Sequence, residues 1–346
     1  MRETTYSYLK QYDDSLVNYH KAIAPDPDYA MAYNNLGTTY QDLKQYDDAS
    51  TSYQKAIALD PDYSMAYNNL GTTYSDLKQY DDAIVNYQKA IALDPDDAIA
   101  YNNLGNTYSD LKQYDDAIAS YQKAIALDSD YATAYKNLGY IYHIQYQYEN
   151  AIASYQKAIK LEPKNSNHHL NLANTLAYDG QYHQAILSYQ KVIELTPDDY
   201  LANNNLGWMC LLTNQLSLAQ TAFERTIEVD KTDVRARLNL ALALKNQGQL
   251  ERADELYQQV LELELVDDED KVAHAFYSFV LGKIEYGMTQ MQDLIAANVN
   301  VGDLENELNN AEMLAACPQP PERIEEMITL LRDAISKSSA NNFVET

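Results

Sequence analysis

Asparagine recurs at positions 35, 69, 103, 137, 171, 205 and 239, always 34 residues apart. Asn35, Asn69, Asn103, Asn137, Asn171, Asn205 and Asn239 are accompanied by other residues at the same interval. One copy reads Tyr67-x-x-Leu70-Gly71-x-x-Tyr74, then Ala83-x-x-x-Tyr87, Ala90 and Pro95. A fixed period of this length predicts a stacked array of short units, each burying its face on the next. The 346-residue length exceeds that of a usual single core. A stack escapes that limit, because no central core has to grow.

The unit can be derived from one copy. Tyr67, Leu70, Gly71 and Tyr74 fall at i, i+3, i+4 and i+7, one face of a helix. Ala83, Ile84, Tyr87, Ala90 and Ile91 predict a second helix of the same kind. Lys78-Gln79-Tyr80-Asp81 is expected to turn between them. Asp81 and Asp82 are expected to cap the second helix, and Pro95 to end it. Small residues at Gly71 and Ala83 imply that the helices cross closely. The aromatic residues are 32 Tyr against 4 Phe and 1 Trp. Most of the tyrosines recur in register, so they are read as core.

The pattern of an aromatic, Leu-Gly, Tyr, Ala, an aromatic, Ala and Pro resembles the tetratricopeptide repeat. The resemblance implies an all-α, α–α superhelix: a right-handed solenoid of antiparallel helix pairs, A and B, with the A helices on the concave face. Seven full copies span 30–267 without an insertion, covering 30–63, 64–97, 98–131, 132–165, 166–199, 200–233 and 234–267. A truncated copy at 1–29 has a stub of helix A, a turn at Gln11-Tyr12-Asp13 and a helix B. It is expected to leave apolar surface bare, either because the chain is a fragment or because that end docks, possible homo-oligomer contact included. A degenerate copy and helical cap are expected at 268–337, and a disordered tail at 338–346.

The register places candidate groove residues. The ladder asparagines, one residue before Leu, are expected on the concave side. Their amides could pair with both groups of an extended peptide backbone, or bond to the neighbouring helix. Asn34, Thr38 and Asp42, with their equivalents Asn68, Thr72, Asp76, Asn102, Asn106 and Asp110, make the early groove polar and acidic. Later copies offer Lys136, Tyr140 and His143, then Leu170, Asn174 and Tyr178. Trp208 and Leu211 follow, then Arg235, Leu238 and Leu242. Trp208 either anchors a partner or folds down against the next repeat. Part of the family clamps a C-terminal carboxylate with five residues. Asn174, Asn205 and Arg235 match three of those places and Leu170 and Asn239 fail the others, so a clamp is not expected.

A formal charge of −26 without a basic stripe argues against nucleic acid and anionic membrane surfaces, leaving neutral or basic peptide partners. No apolar run approaches a membrane span, and the N-terminal residues lack a signal-peptide pattern. Cys210 and Cys317 fit no metal or disulfide spacing, and Cys210 falls on a core position. That usage suits a reducing, cytoplasmic setting. His168, His169 and His183 are too separated by register to share a metal. Without a nucleophile motif or phosphate loop, neither an enzyme nor a cofactor is expected. The leading expectation is a non-catalytic interaction scaffold. Two alternatives stay open: the recruitment module of a larger enzyme such as a glycosyltransferase, and a self-assembling structural array.

Overall fold

The computed structural model describes residues 2–262, 267–316 and 320–342, with the backbone alone at 2–11, 13 and 339–342. The expectations for Cys317 and for the last residues of the tail lie outside the described residues. Among the described residues there are nineteen helices and no strand. The chain divides into two compact units, 1–163 and 164–346.

In the first unit α1 (Arg2–Ile23) precedes four antiparallel pairs. These are α2 (Ala30–Asp42) with α3 (Tyr46–Leu59), and α4 (Ser64–Asp76) with α5 (Tyr80–Leu93). They continue with α6 (Ala98–Asp110) and α7 (Tyr114–Leu127), then α8 (Ala132–Ile144) and α9 (Tyr148–Leu161). In the second unit the pairs are α10 (Ser166–Tyr178) and α11 (Tyr182–Leu195), then α12 (Tyr200–Leu212) and α13 (Leu216–Val229). Next come α14 (Val234–Asn246) and α15 (Leu250–Leu261), then α16 (Asp268–Val280) and α17 (Ile284–Ala296). Two further helices are α18 (Val301–Ala315) and α19 (Ile324–Asn342). Helical backbone therefore continues past Ser338, where a disordered tail was expected.

Five of the pairs close on a ring set against a glycine, at Gly37, Gly71, Gly105, Gly139 and Gly207. A methyl added at Gly105 would come within 2.7 Å of the Tyr121 ring, and one at Gly71 within 2.9 Å of Tyr87. The B-helix rings Tyr53, Tyr87, Tyr121, Tyr155, Tyr189, Phe223 and Tyr257 are all buried. The A-helix rings, such as Tyr67 and Tyr74, are only half-buried. In the full copies the expectation of a tyrosine core therefore holds for this one B-helix ring position, because it is enclosed by its own A helix and the next.

The hairpin inside each pair is a left-handed stop. Lys78 has φ 60°, its N–H reaches the Ser75 carbonyl at 2.9 Å, and the Gln79 N–H reaches Tyr74 at 2.8 Å. This is a Schellman motif, which ends a helix by satisfying two of its last carbonyls. Lysine occupies the strained residue at 44, 78 and 112, and glycine at 180, 248 and 282. Asp81 and Asp82 lie in the first turn of α5, where they oppose the dipole, but no side chain caps that helix. Side-chain capping belongs instead to A helices. Asp97 accepts from the Ile99 and Ala100 N–H groups at the start of α6, and Asp199 and Asp233 act similarly for α12 and α14.

The truncated copy departs from its expected form. The hexapeptide Leu-Lys-Gln-Tyr-Asp-Asp forms the hairpin at 43–48, 77–82 and 111–116, yet the same six residues at 9–14 lie inside the unbroken helix α1. The hairpin places a lysine in the left-handed region, at a steric cost. In the full copies that cost is offset when helix A, 13 residues long, folds back on helix B.

Candidate peptide-binding face

Successive A helices touch within each unit, as α2 does α4 and α12 does α14. Their adjoining faces carry the asparagine ladder. Asn69 Nδ2 donates to Asn34 Oδ1 at 3.0 Å, Asn103 to Asn68 at 3.2 Å and Asn137 to Asn102 at 3.0 Å. In the second unit Asn239 donates to Asn204 at 3.4 Å and Asn205 to Asn174 at 3.3 Å. The acceptors Asn34, Asn68 and Asn102, expected in the groove, are buried between repeats. A hydroxyl closes the network from the B helix: Tyr121 donates to Asn106 Oδ1 at 2.8 Å, which also accepts from Asn137 at 2.9 Å. Tyr189 donates to Asn174 at 2.7 Å. The ladder is thus a row of amide staples joining repeats.

The staples are unequal. Asn239 is 3% exposed and also accepts from the Tyr277 hydroxyl, so it is interior. Asn35 accepts from its neighbour Asn34 at 3.3 Å. The Asn171 side chain makes no hydrogen bond among the described residues. Asn137→Ala should therefore cost about 1–3 kcal/mol, from two hydrogen bonds at about 0.5–1.5 kcal/mol each. Asn171→Ala should stay within a few tenths of a kcal/mol. Urea midpoints of the two variants measure this, and equal losses would remove the distinction.

The remaining groove candidates separate by unit. In the first, Tyr140 is 53% exposed on α8, with Lys136 one turn before it and half-buried. Lys136 makes no hydrogen bond or ion pair among the described residues. Thr38 and Asn106 are exposed on α2 and α6. In the second unit the A-helix face is buried along α12 and α14, while Tyr178 on α10 is 68% exposed. Trp208 is 8% exposed, and Leu211, Leu238 and Leu242 are buried as well. Trp208 therefore does not stand exposed as an anchor.

The element set against α14 is α18. Glu307 is fully buried with its carboxylate 3.0 Å from the Arg235 guanidinium, and Glu269 lies 3.4 Å from the same nitrogen. Burial pushes the Glu307 carboxyl above its usual range, while Arg235 and Asn310, which donates to it at 2.9 Å, pull it back. Burial opposes the charge on Arg235, but Glu307 and the acids around it hold its pKa above the ordinary value. Arg235 is therefore committed inside the protein, which removes it from any carboxylate clamp. Sequence reasoning missed Glu307, although a signal was present. Leu304, Glu307, Ala311 and Leu314 form the buried stripe of α18, and a carboxylate within an apolar stripe demands a cationic partner.

Between α18 and the A helices of the second unit lies a cavity of about 600 Å³. Asn174, Asn205 and Trp208 line one side, and Asn306, Asn309 and Asn310 the other. Cys210 is buried and its thiol is pushed up to about 12 by burial, so it is a neutral core residue. Among the described residues no group of three His, Cys, Asp or Glu could hold a metal ion, and no helix is long and apolar enough to cross a membrane.

Stacked helix pairs with stapled A helices define a helical repeat solenoid. Family models described as TPR repeat match residues 5–44, 71–112, 105–145 and 139–180. Others described as tetratricopeptide repeat match 30–63, 52–85, 170–219 and 222–255. The chain belongs to the tetratricopeptide repeat family. It shares its fold with the C-terminal part of a TPR repeat-containing protein from Cytophaga hutchinsonii, at 21% identity and TM-score 0.56, over 69% of this chain and 98% of that one. It also shares the fold with Pseudomonas aeruginosa PilF, at 20% identity and TM-score 0.52, over 64% and 97%. No curated protein matches the chain.

Proposed function

We propose that this protein is a non-catalytic interaction scaffold that holds an extended or helical peptide segment against its A-helix faces. Membership of the tetratricopeptide repeat family supports a protein-interaction role. The observation that carries the finer reading is the pair on α8. Tyr140 stands exposed beside Lys136, and neither is used to join repeats. An exposed tyrosine next to an uncommitted cation is the composition of an interface anchor, since aromatic side chains supply large contact area at small entropic cost. The ladder asparagines other than Asn239 present half-buried amide edges along the A helices, able to add hydrogen bonds to a bound backbone.

The test is selection of peptides from a random displayed library against the whole chain, followed by affinity measurement on variants. Tyr140→Ala should weaken the selected peptides at least tenfold, about 1.4 kcal/mol. Val85→Arg, at a 63% exposed position on helix B of its pair, should leave affinity unchanged. The reverse pattern would place the binding surface on the B helices and defeat the proposal.

A further inference from the structure

The cavity beside α18 has a composition that the stacking of the repeats does not require. Its two charged lining residues are both neutralised internally: Arg235 by Glu307 and Glu269, and Glu312 by Arg332 at 2.7 Å. The walls are otherwise amides and uncharged side chains, with Trp208, Met209 and Met313 among the apolar ones. Asn306 and Asn309 are exposed and make no hydrogen bond among the described residues. Asn310 gives one N–H to Glu307 and keeps its carbonyl oxygen. Unspent donors and acceptors therefore stand on the α18 wall, facing Asn174 and Asn205 across the cavity.

We propose that this cavity is a two-walled slot for a short, uncharged, extended peptide segment of a partner, with α18 as the second wall. The inference rests on the scaffold reading and names the ligand class for one part of it. Charge complementarity selects a neutral ligand. A lysine or a carboxylate entering the slot would lose hydration and find no unpaired opposite charge. Spacing selects a peptide. Asn306 and Asn310 are four residues apart on α18, a rise of about 6 Å. Alternate peptide groups of an extended chain recur every ~6.6 Å, so successive backbone amides can meet successive side-chain amides. An amide supplies both donor and acceptor, as a peptide group does. The volume falls within the range of roughly 300–1,000 Å³ usual for small-ligand sites.

Trp208 is the sole tryptophan of the chain and lines the slot, so its emission reports occupancy directly. The probes are capped heptapeptides, acetyl-Gly-Ser-Ala-Xaa-Ala-Ser-Gly-amide with Xaa as Leu, Lys or Glu, titrated into the whole protein alongside maltotriose. The leucine peptide should shift Trp208 emission saturably, and the lysine and glutamate peptides should bind at least tenfold more weakly. Asn306→Ala/Asn309→Ala should weaken the leucine peptide at least tenfold with an unchanged melting curve, because both side chains are exposed. A flat titration with all three peptides overturns the proposal. So does equal binding of charged and uncharged peptides, an unaffected double variant, or a stronger response to maltotriose. If library-selected peptides bind without moving Trp208 emission and depend on Tyr140, the slot falls while the scaffold reading stands. If no peptide binds the chain at all, both fall.

Discussion

Arg235→Ala is expected to release α18 from the A-helix face of the second unit, at a cost of about 3–5 kcal/mol, the usual penalty for leaving one partner of a buried ion pair alone. Glu307 has no exposed surface with which to recover hydration. The loss should depend on pH, and its sign follows from the carboxyl. Burial already raises the Glu307 pKa in the folded state, and removing Arg235 raises it further. The docked form then holds its proton more tightly than the released form. Docking is restored as pH falls through the raised folded value and is weakest above it. The variant should therefore show a larger deficit at about pH 8 than at about pH 5. Replacing both partners, Arg235→Met with Glu307→Leu, should recover most of the loss, because neither charge is then buried. Limited proteolysis between α17 and α19, with Trp208 emission in parallel, measures docking. A variant as resistant as the parent at pH 8 would show that the apolar stripe of α18 suffices without the ion pair.

Tyr121→Ala should lower the stability of the first unit by about 3–5 kcal/mol, the range for truncating a large buried aromatic residue. The ring fills the space left by Gly105, and its hydroxyl holds Asn106, which in turn receives Asn137. Truncation therefore opens a cavity and unties one staple between repeats. Tyr121→Phe separates the two effects. It keeps the packing and should cost only about 1 kcal/mol, the net value of one hydrogen bond. Because each repeat is stabilised mainly by its neighbours, hydrogen exchange in Tyr121→Ala should quicken first in α6, α7 and α8. A uniform acceleration from α2 through α9 would instead mean that the unit unfolds as a single block.

A close helix crossing at Gly71 was readable, though not that the ring it admits is Tyr87. Gly71 recurs in register at five of the repeats, and a residue without a side chain on a helix face has a direct steric reading. The ladder was readable as a row, but its role was not. An asparagine between core positions points along the helix face, and sequence alone cannot say whether its amide meets a ligand or the next helix. That depends on how closely the A helices approach, and here the approach lets Asn69 reach Asn34. Trp208 was ambiguous for a related reason. Its register position is the same whether the side chain stands exposed or is buried, as it is here.

The sequence by itself determined the period, the pairing of helices, the family and most of the buried set, because these follow from local spacing repeated many times over. The tertiary structure alone decided three things. It made α1 a single helix although six of its residues form a turn elsewhere, because one hexapeptide can adopt either local backbone and only its surroundings choose. It tied five of the seven ladder amides to the preceding repeat, leaving Asn35 and Asn171 out. It also set α18 against the α14 part of the second unit's A-helix face, where one buried carboxylate required the guanidinium of Arg235, and so left a slot lined by Asn306 and Asn309 where the register alone implied open groove.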